Sequence, residues 1–350
     1  MADMNRKTTL SIEGDKFRLN GQPTYAGRKF TGMPIEGLLM NSRMVQGIFD
    51  DDNPETRSLW AYPDGPYDPD RNTREFIAAM PQWSRRGLLA FTINFQGGSP
   101  QGYSKEQPWL NSAFTSDGQL RPEYAARMGL IIEAADELGM VVILGYFYFG
   151  QEPRMEGEEA IIRACDEATA WVLQQRYTNV LIEIANESDI NYKHSIIKPP
   201  RGHELIERVQ QQSTGKVDNP AGRLLVSTSY SGNSVPRPEV AKCADVLFLH
   251  GNGVDDPTRI REMVEETRAL ETYSGQPILF NEDDHCNFGQ LDNNMLAAIS
   301  NYASWGFFDY RMQYERYDDG YQSMPVNWAI SSPRKRAFFH LLRQITGAGA

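Results

Sequence analysis

The chain has 350 residues, 40% of them hydrophobic and 23% charged, the balance of an ordinary globular protein with ample material for a core. Its formal charge of −11 argues against nucleic acid or an anionic membrane as partner, since either selects a basic face. Cys165, Cys243 and Cys286 lie far apart with no Cys-x-x-Cys spacing, so they read as free thiols, two buried and one near a site, and not as a disulfide frame or metal knuckle.

The opening Met-Ala-Asp-Met-Asn-Arg-Lys has no apolar signal core, and no later run approaches the length of a membrane span. The expectation is a cytoplasmic protein, or a secreted one whose signal has been removed. Thr8-Thr-Leu-Ser-Ile12 and Lys16-Phe-Arg-Leu19 flank Glu13-Gly-Asp, which predicts a short hairpin. After the turn Asn20-Gly-Gln-Pro, the first parallel strand is expected at residues 23–27, followed by a long Gly/Pro- and aromatic-rich loop to about residue 72.

From there strands and helices alternate. A helix at 72–86 leads to strand two at 88–95. The segment 121–139 opens with Pro122 and ends at Gly139, with Tyr124, Met128, Ile131, Ile132, Ala135 and Leu138 at helical spacing. Strand three follows at 140–148, a helix at 158–177, and strand four at 180–185. Strands five, six, seven and eight are expected at 223–229, 245–250, 277–281 and 306–310. Helices are expected from Asp256-Pro257 to about 271 and over 332–345. Nearly continuous apolar strands separated by helices predict an α/β chain with a parallel sheet, and eight of them predict a (β/α)8 TIM barrel with a short N-terminal β-hairpin and long βα loops. No Gly-rich phosphate loop follows strand one, which disfavours an open doubly wound sheet. No linker or repeat divides residues 1–350, so a single catalytic domain is expected.

Two strands end in a glutamate: Val180-Leu-Ile-Glu-Ile-Ala-Asn-Glu187 and Pro277-Ile-Leu-Phe-Asn-Glu282. Alternation puts Glu183, Ala185 and Glu187 on one face, and Ile278, Phe280 and Glu282 on another. Both terminal glutamates are expected at the C-terminal mouth, where barrel enzymes keep their chemistry. Glu183 would point toward the axis, either neutral or paired with a buried cation.

Ile184-Ala-Asn-Glu187 on strand four, with Glu282 on strand seven, resembles the signature of the clan A glycoside hydrolases, the barrel superfamily that includes family 5 cellulases and mannanases. The resemblance extends over residues 17–345 and includes Phe17-Arg-Leu-Asn-Gly-Gln-Pro and His250. It implies a retaining glycosidase needing no cofactor. Glu187 would be the acid/base, Glu282 the nucleophile, Asn186 the partner of the sugar 2-hydroxyl, and His250 a positioning group. The reaction requires the two acids in opposite protonation states, and retention requires them about 5–5.5 Å apart. A probably β-linked glycoside or short oligosaccharide is the implied carbohydrate substrate.

The chain departs from the family pattern in places. Thr92-Ile-Asn94-Phe-Gln96 has no arginine after strand two, so Arg28 or Arg311 is the expected cation beside the nucleophile. Strand six reads His250-Gly-Asn252 where the family often has His-x-Tyr. Asp309-Tyr-Arg311 replaces the tryptophan usual after strand eight, leaving Trp328 as the expected sugar platform. Asn94 and Tyr148 are further expected substrate contacts. Aromatics at 60, 62, 67, 103, 109, 146, 148, 230, 314, 317, 321 and 328 suit a carbohydrate cleft, although each one individually is more simply read as loop packing. Two alternatives stay open: a carbohydrate-binding barrel without catalysis, and a metal-dependent hydrolase using Glu282-Asp-Asp-His285 with His250. The latter lacks the His-x-His expected on strand one.

Overall fold

The computed structural model describes residues 6–104, 106–310 and 315–349. Arg311 and Tyr314 lie outside the described residues. The chain opens with an antiparallel sheet of β1 (Leu10–Glu13), β2 (Lys16–Leu19) and β3 (Gln22–Pro23), and then a small hairpin, β4 (Lys29–Phe30) with β5 (Met33–Pro34). Eight short strands follow: β6 (Asn41–Arg43), β7 (Ala90–Asn94), β8 (Val141–Tyr148), β9 (Val180–Asn186), β10 (Leu225–Ser227), β11 (Leu247–His250), β12 (Ile278–Glu282) and β13 (Gly306–Phe307).

Six of these form one parallel sheet in the order β10-β9-β8-β7-β6-β13, while β11 and β12 pair with each other in parallel. Backbone contacts reach between the two groups. Phe280 N donates to Ser304 O at 2.9 Å just before β13, and Asp245 N donates to Val226 O of β10, also at 2.9 Å. The helices are α1 (Pro69–Ser84), α2 (Pro122–Glu137), α3 (Glu158–Gln174), α4 (His203–Ser213), α5 (Pro238–Cys243), α6 (Pro257–Arg268), α7 (Asn294–Ser300) and α8 (Pro333–Thr346). Side-chain caps begin several of them: Asp68 accepts from Asp70 N and Arg71 N, Asp256 from Thr258 N, and Ser332 from Lys335 N. Among the described residues no helix is long and apolar enough to cross a membrane. Of the three free thiols only Cys165 is fully buried; Cys243 is half-buried and Cys286 exposed.

The first parallel strand is displaced from its expected place. Gln22–Pro23 belongs to the N-terminal sheet, and Asn41–Arg43, expected inside a loop, pairs with β7 and β13. The reason lies in the interior. Leu39, Ala90, Val141, Leu181, Leu225 and Leu279 form a buried apolar cluster, sealed by Leu10 and Phe17 of the N-terminal sheet. Two or four residues further along five of these strands the alternation brings up buried polar groups: Asn41 and Arg43, Thr92 and Asn94, Glu183, Ser227, Asn281. A three-residue strand made almost wholly of this polar layer carries no hydrophobic signal.

Candidate active site

The rim above the polar layer gathers side chains from four strands. At the tip of β6, Arg43 is only 3% exposed and reaches two carboxylates: its Nη1 lies 3.2 Å from Glu183 Oε2 and its Nε 2.6 Å from Glu282 Oε2. Glu183 is thus paired with a buried cation, and its Oε1 also accepts from Ser229 Oγ at 2.7 Å and Asn281 Nδ2 at 2.9 Å. A buried carboxylate with three donors is fully compensated.

Glu187 follows β9 directly, in the left-handed backbone region (φ 51°). Its amide donates to Ser229 Oγ at 3.0 Å, and its Oε1 lies 3.1 Å from His250 Nδ1. Strand parity points Glu282 the wrong way: Leu279 joins the interior cluster while Phe280 packs outside it. A register shift between Leu249 and His250 pairs His250 with Glu282 and brings both to the rim, the re-aiming that a bulge produces. One carboxylate oxygen each of Glu187 and Glu282, with a His250 ring nitrogen, lie within 4.8 Å of one another.

The Glu282 carboxyl is nearly buried, with both oxygens engaged as acceptors: Oε2 by Arg43, Oε1 by Asn252 Nδ2 at 2.6 Å. Burial pushes it above the ordinary carboxylate value and Glu187 pushes the same way, while Arg43, His250 and Asn252 oppose the rise. Its hydrogen bonds are those an ionised carboxylate accepts. Burial lowers the affinity of His250 for a proton, but the two glutamates outweigh it and the imidazole is raised above its ordinary value.

The carboxylates line a cavity of about 320 Å³ together with Arg43, Ser99, Tyr103, Tyr148, Phe149, Asn186, Phe308 and Gln322. Asn186 offers a buried Oδ1 without a hydrogen-bond partner among the described residues. Tyr148 borders the same space, its hydroxyl accepting from Gln107 Nε2 at 3.0 Å. Asn94 does not line the cavity. It is fully buried in the polar layer against Gly145, where a Cβ would stand 2.2 Å from its Oδ1.

Two expected residues lie elsewhere. Arg28 donates through Nε to Ile345 O at 2.9 Å and through Nη2 to Gln344 O at 2.5 Å, closing the last carbonyls of α8. It was tied to the wrong first strand, and Arg43 is the cation beside Glu282. Trp328 is 2% exposed, donates its Nε1 to Asn72 Oδ1 at 3.0 Å, and packs edge-on against Phe76 and stacked on Tyr321. It is a core residue, and Tyr103, Phe149 and Phe308 supply the aromatic walls. Trp60 and Trp109 likewise pack on each other within the loops.

The spacing of Glu187, His250 and Glu282 would suit a metal, but the donor set does not. Arg43 and Asn252 already fill both oxygens of Glu282, and a guanidinium 2.6 Å away repels a second cation. In the neighbouring group His285 is held between Asp283 (Nδ1, 2.8 Å) and Asp255 (Nε2, 3.1 Å), with both ring nitrogens donating as an imidazolium. The hydrogen bond to Asp283 leads in raising its pKa, to about 9. A raised pKa contributes stability that is fully present below the unfolded value of about 6.5 and lost as pH rises through about 9. The melting temperature should therefore fall between those pH values, and fall less in His285→Gln, as followed by circular dichroism.

No protein-family model matches the sequence, and no curated protein matches it. Solved structures do match by fold. The chain is similar to a glycoside hydrolase family 5 structure from Bacteroides vulgatus ATCC 8482, with TM-score 0.56 and 12% identity over 96% of this chain and 70% of that one. It is similar to the endo-1,4-beta-mannanase from Rhizomucor miehei, with TM-score 0.55 and 12% identity over 97% of this chain and 99% of that one. It is also similar to an exo-beta-1,4-mannosidase from Opitutaceae bacterium strain TAV5, with TM-score 0.54 and 14% identity over 93% of this chain and 62% of that one. The chain shares its fold with glycoside hydrolase family 5 enzymes.

Proposed function

We propose that residues 1–350 form a single (β/α)8 catalytic domain that hydrolyses a glycoside with retention of anomeric configuration. Closure of the eight strands into a barrel is supported by the hydrogen bonds joining β12 to the segment before β13, and β10 to the segment before β11. The observation that carries the functional reading is the approach of the Glu187 and Glu282 oxygens to within 4.8 Å on one rim, with a cation on Glu282. That approach of the nearest oxygens supports the close pair of a retaining enzyme over the wider pair, about 6.5–9.5 Å apart, that holds a water in an inverting one.

In this reading a Glu282 oxygen attacks the anomeric carbon as the bond to the leaving oxygen breaks, and Glu187 delivers its proton to that oxygen. Water then attacks the same carbon, Glu187 takes its proton, and the bond to Glu282 breaks. His250 occupies Oε1 of Glu187, which leaves Oε2 to carry the transferred proton. The free Oδ1 of Asn186 accepts from the sugar 2-hydroxyl.

A cavity of about 320 Å³ is at the small end of ligand pockets, which supports action on a terminal residue or a short oligosaccharide. The similar structures of a mannanase and a mannosidase favour β-linked sugars as the first to try. The test is a panel of aryl glycosides followed by NMR of the first-formed anomer. Turnover with retention is expected. Inversion would remove the covalent step, and silence across the panel would favour a binding-only barrel.

A further inference from the structure

Asn252 lies in the turn after β11, where Gly251 N donates to Glu282 O at 2.8 Å. Both hydrogens of its amide nitrogen are used: Nδ2 lies 2.6 Å from Glu282 Oε1 and 2.9 Å from the Tyr103 hydroxyl. Tyr103 in turn donates its own proton to Asp284 Oδ2 at 2.7 Å. The polarity of this chain is fixed by its ends. As a carboxylate Asp284 can only accept, so the tyrosine proton is committed to it and the hydroxyl oxygen accepts from Asn252. Glu282 likewise accepts, and a flipped amide would set Oδ1 against a carboxylate oxygen. Desolvation of its hydroxyl, with the charges of Glu282 and Asp284, keeps the Tyr103 phenol protonated for this role, although the residue as a whole is about half exposed.

We propose that Tyr103 and Asp284 lock the Asn252 amide in the orientation that donates to Glu282, making Asn252 a positioning residue for the nucleophile. The loop after β7, which carries Tyr103, then completes the site from outside the strands. The inference rests on the reading of Glu282 as nucleophile for its catalytic consequence, but not for its effect on that carboxyl. The other groups facing Glu282 are Arg43 from β6, Glu187 after β9, His250 from β11 and Tyr148 from β8, and none of them can take the place of Asn252 at Oε1 without moving.

The test compares Asn252→Ala, Tyr103→Phe and the double variant on the best aryl glycoside, with melting temperature as the folding control. Asn252→Ala should lower kcat roughly 10- to 100-fold, the scale of one hydrogen bond to a charge, with KM within about threefold. The acid limb of the pH profile should move up, because a donor favouring the carboxylate is gone. Tyr103→Phe, the milder change, should shift the limb the same way with a loss of about 3- to 10-fold. The double variant should be no worse than Asn252→Ala, since the tyrosine acts through the asparagine. An unmoved acid limb, or losses that multiply, would overturn the proposal. If the unmodified protein turns over no glycoside, the functional reading fails, but NMR titration with labelled glutamate still decides the lock. The Glu282 resonance, identified by its loss in Glu282→Gln, must titrate higher in Asn252→Ala and in Tyr103→Phe than in the parent.

Discussion

Glu282→Gln is expected to cut kcat on any glycoside by roughly 10⁴-fold or more, the scale on which loss of a covalent nucleophile acts. The amide is nearly isosteric, so the Arg43 and Asn252 contacts survive in part and folding should not confuse the result. Glu187→Gln should behave differently. For a substrate whose leaving group needs a proton, the loss should be about 10²- to 10⁴-fold; for a dinitrophenyl glycoside, the first step should proceed and the intermediate accumulate. Added azide, which needs no base, should then restore turnover and give a glycosyl azide of retained configuration. Equal losses on both substrates would refute the division of labour between the two acids. A peptide map of the trapped intermediate that placed the sugar anywhere but Glu282 would refute the nucleophile assignment.

Arg43→Met should hurt both stability and catalysis. The side chain compensates Glu183 and Glu282 together inside the strands, and removing one partner of a buried ion pair typically costs about 3–5 kcal/mol. Two acids would be left close to Glu187 without the guanidinium that offsets them, so the Glu282 carboxyl would hold its proton to higher pH. The acid limb of kcat/KM should move up, and kcat at its optimum should fall about 10²- to 10³-fold, as when a preorganised electrostatic donor is lost. Calorimetry and a pH–rate profile measure the two effects. Arg43→Lys should recover part of the stability but less of the rate, because an ammonium cannot span Glu183 and Glu282 as the guanidinium does. A variant with wild-type melting behaviour and an unmoved limb would remove Arg43 from the account.

The parts of this molecule most legible in its sequence were those that repeat a physical pattern. Apolar strands buried on both faces and Pro-initiated helices marked most of the parallel sheet, and two strands ending in Asn-Glu marked the rim. The illegible parts were those where the pattern inverts. Asn41-Ser42-Arg43 reads as loop because its side chains fill the polar layer beneath the site, and with the first strand placed at 23–27 the cation at its end reads as Arg28. Parity misdirects Glu282, because the shift at His250 is a backbone event with no residue signature. Trp328 was attractive for its chemistry, yet a long aromatic loop must first bury its own rings, and Trp328 packs against α1. Asn252 stood out only as a departure from a familiar motif; its partner Tyr103 is nearly 150 residues away, beyond the reach of any spacing rule.

Two contacts close one flank of the recess that holds the carboxylates. Gln322 Nε2 donates to Ser99 O and Met324 N to Pro100 O, each at 2.7 Å, so the segments after β7 and β13 are tied across one flank of the rim. On the proposed function, loosening this tie should widen the recess and raise activity on longer chains relative to short aryl glycosides.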